Sequence, residues 1–182
     1  MDKNRALELL KKYIKNEKLI KHCIATGAIM KKIAKELGED EKRWELIGIL
    51  HDIDYELVEG DMEKHGIVGA EILKKEGFDD DFCETIKRHN YHLFKAERPV
   101  EIALQSADNI SGLIIACALV KKGRISDVTK KTVRDKFKEK SFARGCNREI
   151  IKQIERIGID LDRFYEISIK ALRDVKDELG LS

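Results

Sequence analysis

Apolar residues recur at helical spacing through almost the whole chain, and the period-two alternation of a half-buried strand is missing. No Asn-Gly or Asp-Gly pair joins two β-branched runs, so hairpins are not expected either. Leu7, Leu10 and Ile14, with Leu9 and Tyr13 nearby, predict a first helix over about residues 2–16. Ile20, Ile24, Ile33 and Leu37 share the inner side of a second from Glu17 to Leu37, with Gly38 as its C-cap. Asp40 is the expected N-cap of a third, which carries Trp44, Ile47, Leu50 and His51 on one face. Residues 53–62 read as a loop.

A fourth helix over about 62–76 turns Ile67, Ala70, Ile72 and Leu73 inward and stops at Gly77. Asp79 to Asp81 start a fifth, about 80–92, with Phe82 and Ile86 inward. The one proline, Pro99, precedes a long apolar segment from Val100 to Val120. Gln105, Ser106, Asp108, Asn109 and Ser111 interrupt it, which suits a buried central helix better than a membrane span. Three more helices are expected at about 126–139, 145–157 and 160–179. With no repeat and no linker, 182 residues of this kind predict a single all-α domain.

Composition narrows the classes. Apolar residues make up 42% of the chain, as in soluble globular proteins, and the N-terminus lacks the apolar core of a signal peptide. The cytoplasm is the expected compartment. Cys23, Cys83, Cys117 and Cys146 are scattered without a CxxC pair, so neither a disulfide framework nor a thiolate zinc site is expected. A net charge of +2, from 36 basic and 34 acidic residues, does not argue for nucleic acid, which is not an expected partner. So apolar a central helix is compatible with a homo-oligomer packed against it.

Chemistry concentrates in the histidines. His22, His51, His65, His89 and His92 all fall between residues 22 and 92, the first four on or beside four different helices. His51-Asp52 ends the apolar run from Trp44, and Asp108 sits inside the central helix. Imidazole and carboxylate are good ligands for divalent cations, and a bundle core is a standard place to gather ligands from separate helices. Taken singly, each has a plainer explanation: His22 as a satisfied helix residue, His65 as a helix start, His89 and His92 as polar surface, Asp108 as a cap or lysine partner.

The order His22 … His51-Asp52 … Asp108 resembles the H…HD…D signature of the HD-domain superfamily of metal-dependent phosphohydrolases. Lys64-His65-Gly66-Ile67-Val68-Gly69-Ala70 and Ile86-Lys87-Arg88-His89-Asn90 resemble the flanks of two further histidines in its two-metal members. Those include HD-type dinucleoside polyphosphate hydrolases and cyclic-dinucleotide phosphodiesterases. The likeness covers about residues 18–120 and implies an HD-domain helical bundle with additional C-terminal helices over about 121–182. It implies that His22, His51, Asp52 and Asp108 hold one divalent cation, and that His65 and His89 hold a second with Asp52 between them. Manganese, iron, magnesium, cobalt and nickel all suit such donors. Two cations about 3.5–4 Å apart would clamp a phosphate and activate water for in-line attack. The substrate implied is a small phosphorylated compound, a nucleotide above all. Tyr55 stands where two-metal members often carry a lysine, and Asn90 follows His89 where some have a second histidine.

Around that core the roles stay open. Asp54 and Glu56 are candidates to orient a histidine, to act as general acid, or simply to solvate a loop. Asn109 is a candidate to hydrogen-bond substrate or to cap. Eight basic residues lie between Lys130 and Arg148, interrupted by Asp135 and Glu139. Arg144 and Arg148, four apart and on one face if helix continues, are the expected phosphate clamps. Alternatives to the phosphohydrolase are a di-iron oxygenase on the same ligands, a nuclease using the basic segment, and a non-catalytic ligand-binding module.

Overall fold

Short polar side chains write the helix starts of this chain. In the computed structural model, which describes residues 1–182, seven helices begin under a side chain that accepts the N–H three residues on. Asp2 caps α1 (Lys3–Tyr13), Asn16 caps α2 (Glu17–Leu37) and Asp40 caps α3 (Glu41–Leu50). Asp79 does so for α5 (Asp80–Lys87), and Thr129 for α7 (Lys130–Lys138) through a reciprocal capping box with Thr132. Asn147 and Asp160 open α8 (Arg148–Lys152) and α9 (Leu161–Asp174). The remaining helices are α4 (Ile67–Lys75), α6 (Pro99–Val120), whose first residue is the proline, and the short α10 (Lys176–Leu179). There is no strand, so the all-α expectation holds.

Most departures from the periodicity occur where tertiary geometry overrides it. The fourth helix begins at Ile67 rather than 62, because Gly66 has φ +87° and breaks the turn before it. A Cβ at Gly66 would also stand 2.8 Å from the carbonyl oxygen of Lys87, so the position admits only glycine on two counts. The fifth helix stops at Lys87, leaving His89 to His92 outside it. Residues 125–127 form a 3-10 turn ahead of α7, α8 passes into a 3-10 turn at Gln153–Ile157, and the last helix breaks at Val175.

Two glycines set the closest helix contact. A Cβ on Gly48 would lie 2.6 Å from Cα of Gly27, and one on Gly27 would lie 2.7 Å from Cγ1 of Ile49. Helices α2 and α3 therefore touch backbone to backbone. That contact lies about one turn from His51 and about one and a half turns from His22, so it sets the distance between the two imidazoles. Helix α6 runs through the middle, packed on α2, α3, α7, α8 and α9, with Ile102 to Ala107 and Ile110 all buried. It is the one helix long and apolar enough to cross a membrane, and most of it is covered by the rest of the protein.

Alanine at an ordinary helix position in place of glycine stabilises by up to about 1 kcal/mol. Gly48→Ala is expected to do the opposite, costing about 2–3 kcal/mol by forcing the backbones apart. Urea unfolding of the variant checks the sign; a gain in stability would show that the two helices do not touch as described.

Candidate metal centre

Four imidazoles are fixed through one ring nitrogen and converge through the other. His51, just past the end of α3, faces the Gly48 carbonyl with Nδ1 at 2.6 Å. His89, just past α5, faces the Ile86 carbonyl at 2.5 Å. A carbonyl only accepts, so both Nδ1 atoms carry the proton. His65 points Nδ1 at Oδ1 of Asp54, 2.7 Å away, and is set the same way. On α2, Nδ1 of His22 lies 3.1 Å from Oγ of Ser111, whose own proton goes to the Asp108 carbonyl. Ser111 therefore accepts from His22. All four Nε2 lone pairs are left for the centre.

Asp52 stands among them and divides its oxygens. Oδ2 is 3.4 Å from Nε2 of His22 and 3.2 Å from Nε2 of His51. Oδ1 is 3.1 Å from Nε2 of His65 and 3.2 Å from Nε2 of His89. Asp108, reaching in from α6, puts Oδ1 2.8 Å from His22 and 3.2 Å from His51. Two groups result: His22, His51, Asp52 and Asp108, and Asp52, His65 and His89, each with ligand atoms within 4.8 Å of one another. Asp52 belongs to both.

The donors fit a cation. Nε2 of His65 and Nε2 of His89 are 3.0 Å apart, and with both rings protonated at Nδ1 two lone pairs face each other. Only a proton or a cation between them relieves that repulsion. Nitrogen and oxygen donors without thiolate suit a divalent ion of the manganese, iron, cobalt or magnesium type. In the protein alone protons take that place. Burial opposes charge on His22, but Asp108 and Asp52 outweigh it and raise the pKa to about 9. Burial likewise opposes charge on His65, and Asp52 and Asp54 lift it to about 9. His51 is raised well above its ordinary value, against burial, by Asp52 and Asp108. Burial pushes Asp52 up, yet His51, His22 and His65 hold it well below the usual carboxylate range.

The structure thus brings together His22, His51, Asp52, His65, His89 and Asp108, and leaves His92 exposed against Tyr91. Several outer roles change. Asp54 is fully buried and accepts from His65, from Gly66 N–H at 2.6 Å and from Gly69 N–H at 2.7 Å. It orients His65 and is not placed to act as a general acid. Glu56 turns away and accepts the N–H groups of Lys15 and Asn16, tying the loop to the α1–α2 junction. The Asn109 amide is spent on the Gln105 carbonyl and the Asn147 N–H, so it is not free for substrate.

Arg148 is a correction of another kind. Its guanidinium donates to the carbonyls of Lys136, Phe137, Glu139, Phe142, Ala143 and Cys146, which uses up the fork that would have clamped phosphate. Arg144 does not share a helical face with it: α8 begins only at Arg148, under the extended N-cap Asn147, and Arg144 is exposed in the turn before it. Ser111, the Gly48 and Ile86 carbonyls, and Thr26, whose hydroxyl donates to the His22 carbonyl at 2.8 Å, are the positioning groups that sequence reading missed. A polar residue three after Asp108 was the only visible sign of one of them.

A family model described as HD domain matches residues 19–116. Ribonuclease Y of Lawsonia intracellularis is 34% identical over 100 residues, 53% of this chain and 18% of that protein. The tRNA (cytidine(56)-2'-O)-methyltransferase of Thermoplasma volcanium is 32% identical over 103 residues, 57% of this chain and 30% of that protein. An uncharacterised protein of Methanocaldococcus jannaschii is 32% identical over 113 residues, 59% of this chain and 65% of that protein. The chain spans less than a fifth of the length of the ribonuclease Y proteins it matches. No solved structure matches significantly.

Two outcomes follow from the geometry. With metal stripped by chelator, the raised pKa values of His22 and His65 contribute stability that is complete below about pH 6.5 and lost as pH rises through about 9. Melting temperature in chelator should therefore fall between pH 7 and 9.5, and added divalent metal should reduce the fall; a flat profile contradicts this. Asp54→Asn should weaken metal binding by about 10–100-fold while the helical circular dichroism is kept. Unchanged metal content at limiting metal would show that Asp54 does not orient a ligand.

Proposed function

The chain belongs to the HD domain family, and from that premise we propose that it is a metal-dependent phosphohydrolase acting on a small phosphorylated compound, a nucleotide foremost. The observation that carries the reading is Asp52, one carboxylate shared between two sets of imidazoles whose Nε2 atoms converge on it. Divalent cations bound there would supply Lewis acidity to a phosphoryl oxygen and lower the pKa of an attacking water.

The chain's own residues prepare that chemistry. Asp52 and Asp108 concentrate negative charge where cations are needed, and the Nδ1 contacts stop the imidazoles from rotating away. His22 and Asp108, with side chains 22% and 19% exposed, form the edge of the cluster open to solvent, where a phosphate ester would arrive. His51 and His89 lie behind it, almost fully buried. Neither Asp54 nor Glu56 is free to protonate a leaving group.

A second reading is kept for one reason. The ribonuclease Y relatives bear the name of a nuclease, which favours a phosphodiester as the bond cleaved. A screen with manganese, magnesium, cobalt, nickel and iron(II) over phosphomonoesters, nucleotides and single-stranded RNA separates the two. Phosphate release from nucleotides is expected, abolished by chelator. Asp52→Ala should lose both bound metal and at least about a hundredfold in rate. Activity that survives loss of metal would end the proposal. Cleavage of RNA without nucleotide hydrolysis would transfer it to the nuclease, and oxygen uptake with iron but no phosphate release to an oxygenase.

A further inference from the structure

The basic stretch before α8 is only partly accounted for by the fold. Lys130 pairs with Glu166, Lys131 with Asp135, Arg134 with Asp162 and Lys136 with Glu139. Arg148 is bound up in backbone carbonyls. Lys140 and Arg144 are exposed and pair with no carboxylate. Both line a cavity of about 400 Å³ whose other walls include Tyr91 and Cys146, with Glu149 its one acidic residue.

This cavity lies against the segments that carry His89 and Asp108. Tyr91 lies two residues after His89. The 139–147 segment is docked on α6 beside Asp108: Asn147 N–H donates to Oδ1 of Asn109 at 3.0 Å, and Cys146 packs where a Cβ on Gly112 would be 2.8 Å from its Sγ. The segment is also preorganised. Arg148 gathers four of its carbonyls, those of Glu139, Phe142, Ala143 and Cys146, and Ala143 is held in the left-handed region that non-glycine residues avoid. Two unpaired cations on a stiffened loop give the fold nothing, whereas they suit an anion brought in from outside.

We propose that this cavity is a subsite for a second, non-reacting phosphate of a nucleotide substrate. Arg144 and Lys140 grip that phosphate, and the nucleoside lies against the Tyr91 ring, while the reacting phosphate sits at the His/Asp cluster. The inference rests on the phosphohydrolase reading for its orientation but is tested by binding alone.

Calorimetry on the full, manganese-loaded chain compares adenosine 3′,5′-bisphosphate with adenosine 5′-monophosphate. The unmodified protein should bind the bisphosphate about tenfold more tightly, the size of one charge-assisted contact. Arg144→Gln combined with Lys140→Gln should abolish that preference, the monophosphate affinity serving as internal reference. Arg144→Lys alone should keep part of it, which a purely structural role would not predict. Equal affinities in the unmodified protein, or a preference that survives in the double variant, overturns the subsite. A protein that shows the preference but releases phosphate from no ester retains the subsite and removes the phosphohydrolase reading instead.

Discussion

Taking a carboxylate out of water costs several kcal/mol unless charge or hydrogen bonds are returned to it. Asp52, with a side chain only 9% exposed, meets that cost with four imidazoles, two on each oxygen. The imidazoles can serve only if their outer nitrogens are held, and two of the four holding groups are backbone. The carbonyls of Gly48 and Ile86, each three residues before the histidine it fixes, lie in the last turn of a helix. Helix termination and ligand orientation are thus one event at His51 and at His89.

Glycines make the geometry affordable at two places. The Gly27–Gly48 contact lets α2 and α3 approach closely enough for His22 and His51 to share Asp52 and Asp108. Gly66 does a different task, turning the chain so that His65 enters the cluster while its own N–H meets Asp54. Asp54 in turn binds the N–H of Gly69 in the first turn of α4, so a single carboxylate fixes both a ligand and the helix that follows it.

Local signals were legible where the cause is local. Helix α2 runs from Glu17 to Leu37 with Gly38 as its C-cap, as expected, and the all-α class follows from periodicity alone. The start of α4 was not, because the φ of Gly66 and its contact with Lys87 depend on a neighbouring helix. The six cluster residues could be singled out from their types and order, through likeness to a family; what each touches could not. Glu56 reaches back 41 residues to Lys15 N–H, and Asn109 forward 38 to Asn147 N–H. The Arg144–Arg148 pairing assumed helical continuity that the extended N-cap at Asn147 breaks. No spacing rule reveals a guanidinium consumed by carbonyls.

The separations along the chain between the cluster's members have a kinetic meaning. His22 and Asp108 are 86 residues apart, His51 and Asp108 57, and Asp52 and His89 37. Each pairing closes a long loop, and such contacts form after the local helices are in place. An intermediate in which α6 has not yet docked has no Asp108, and one in which α5 has not docked has no His89. The cluster is therefore a checkpoint on topology. It exists only when five separate stretches of chain have found one another, so its presence reports the arrangement of α2 to α6 in a way that helix content never could.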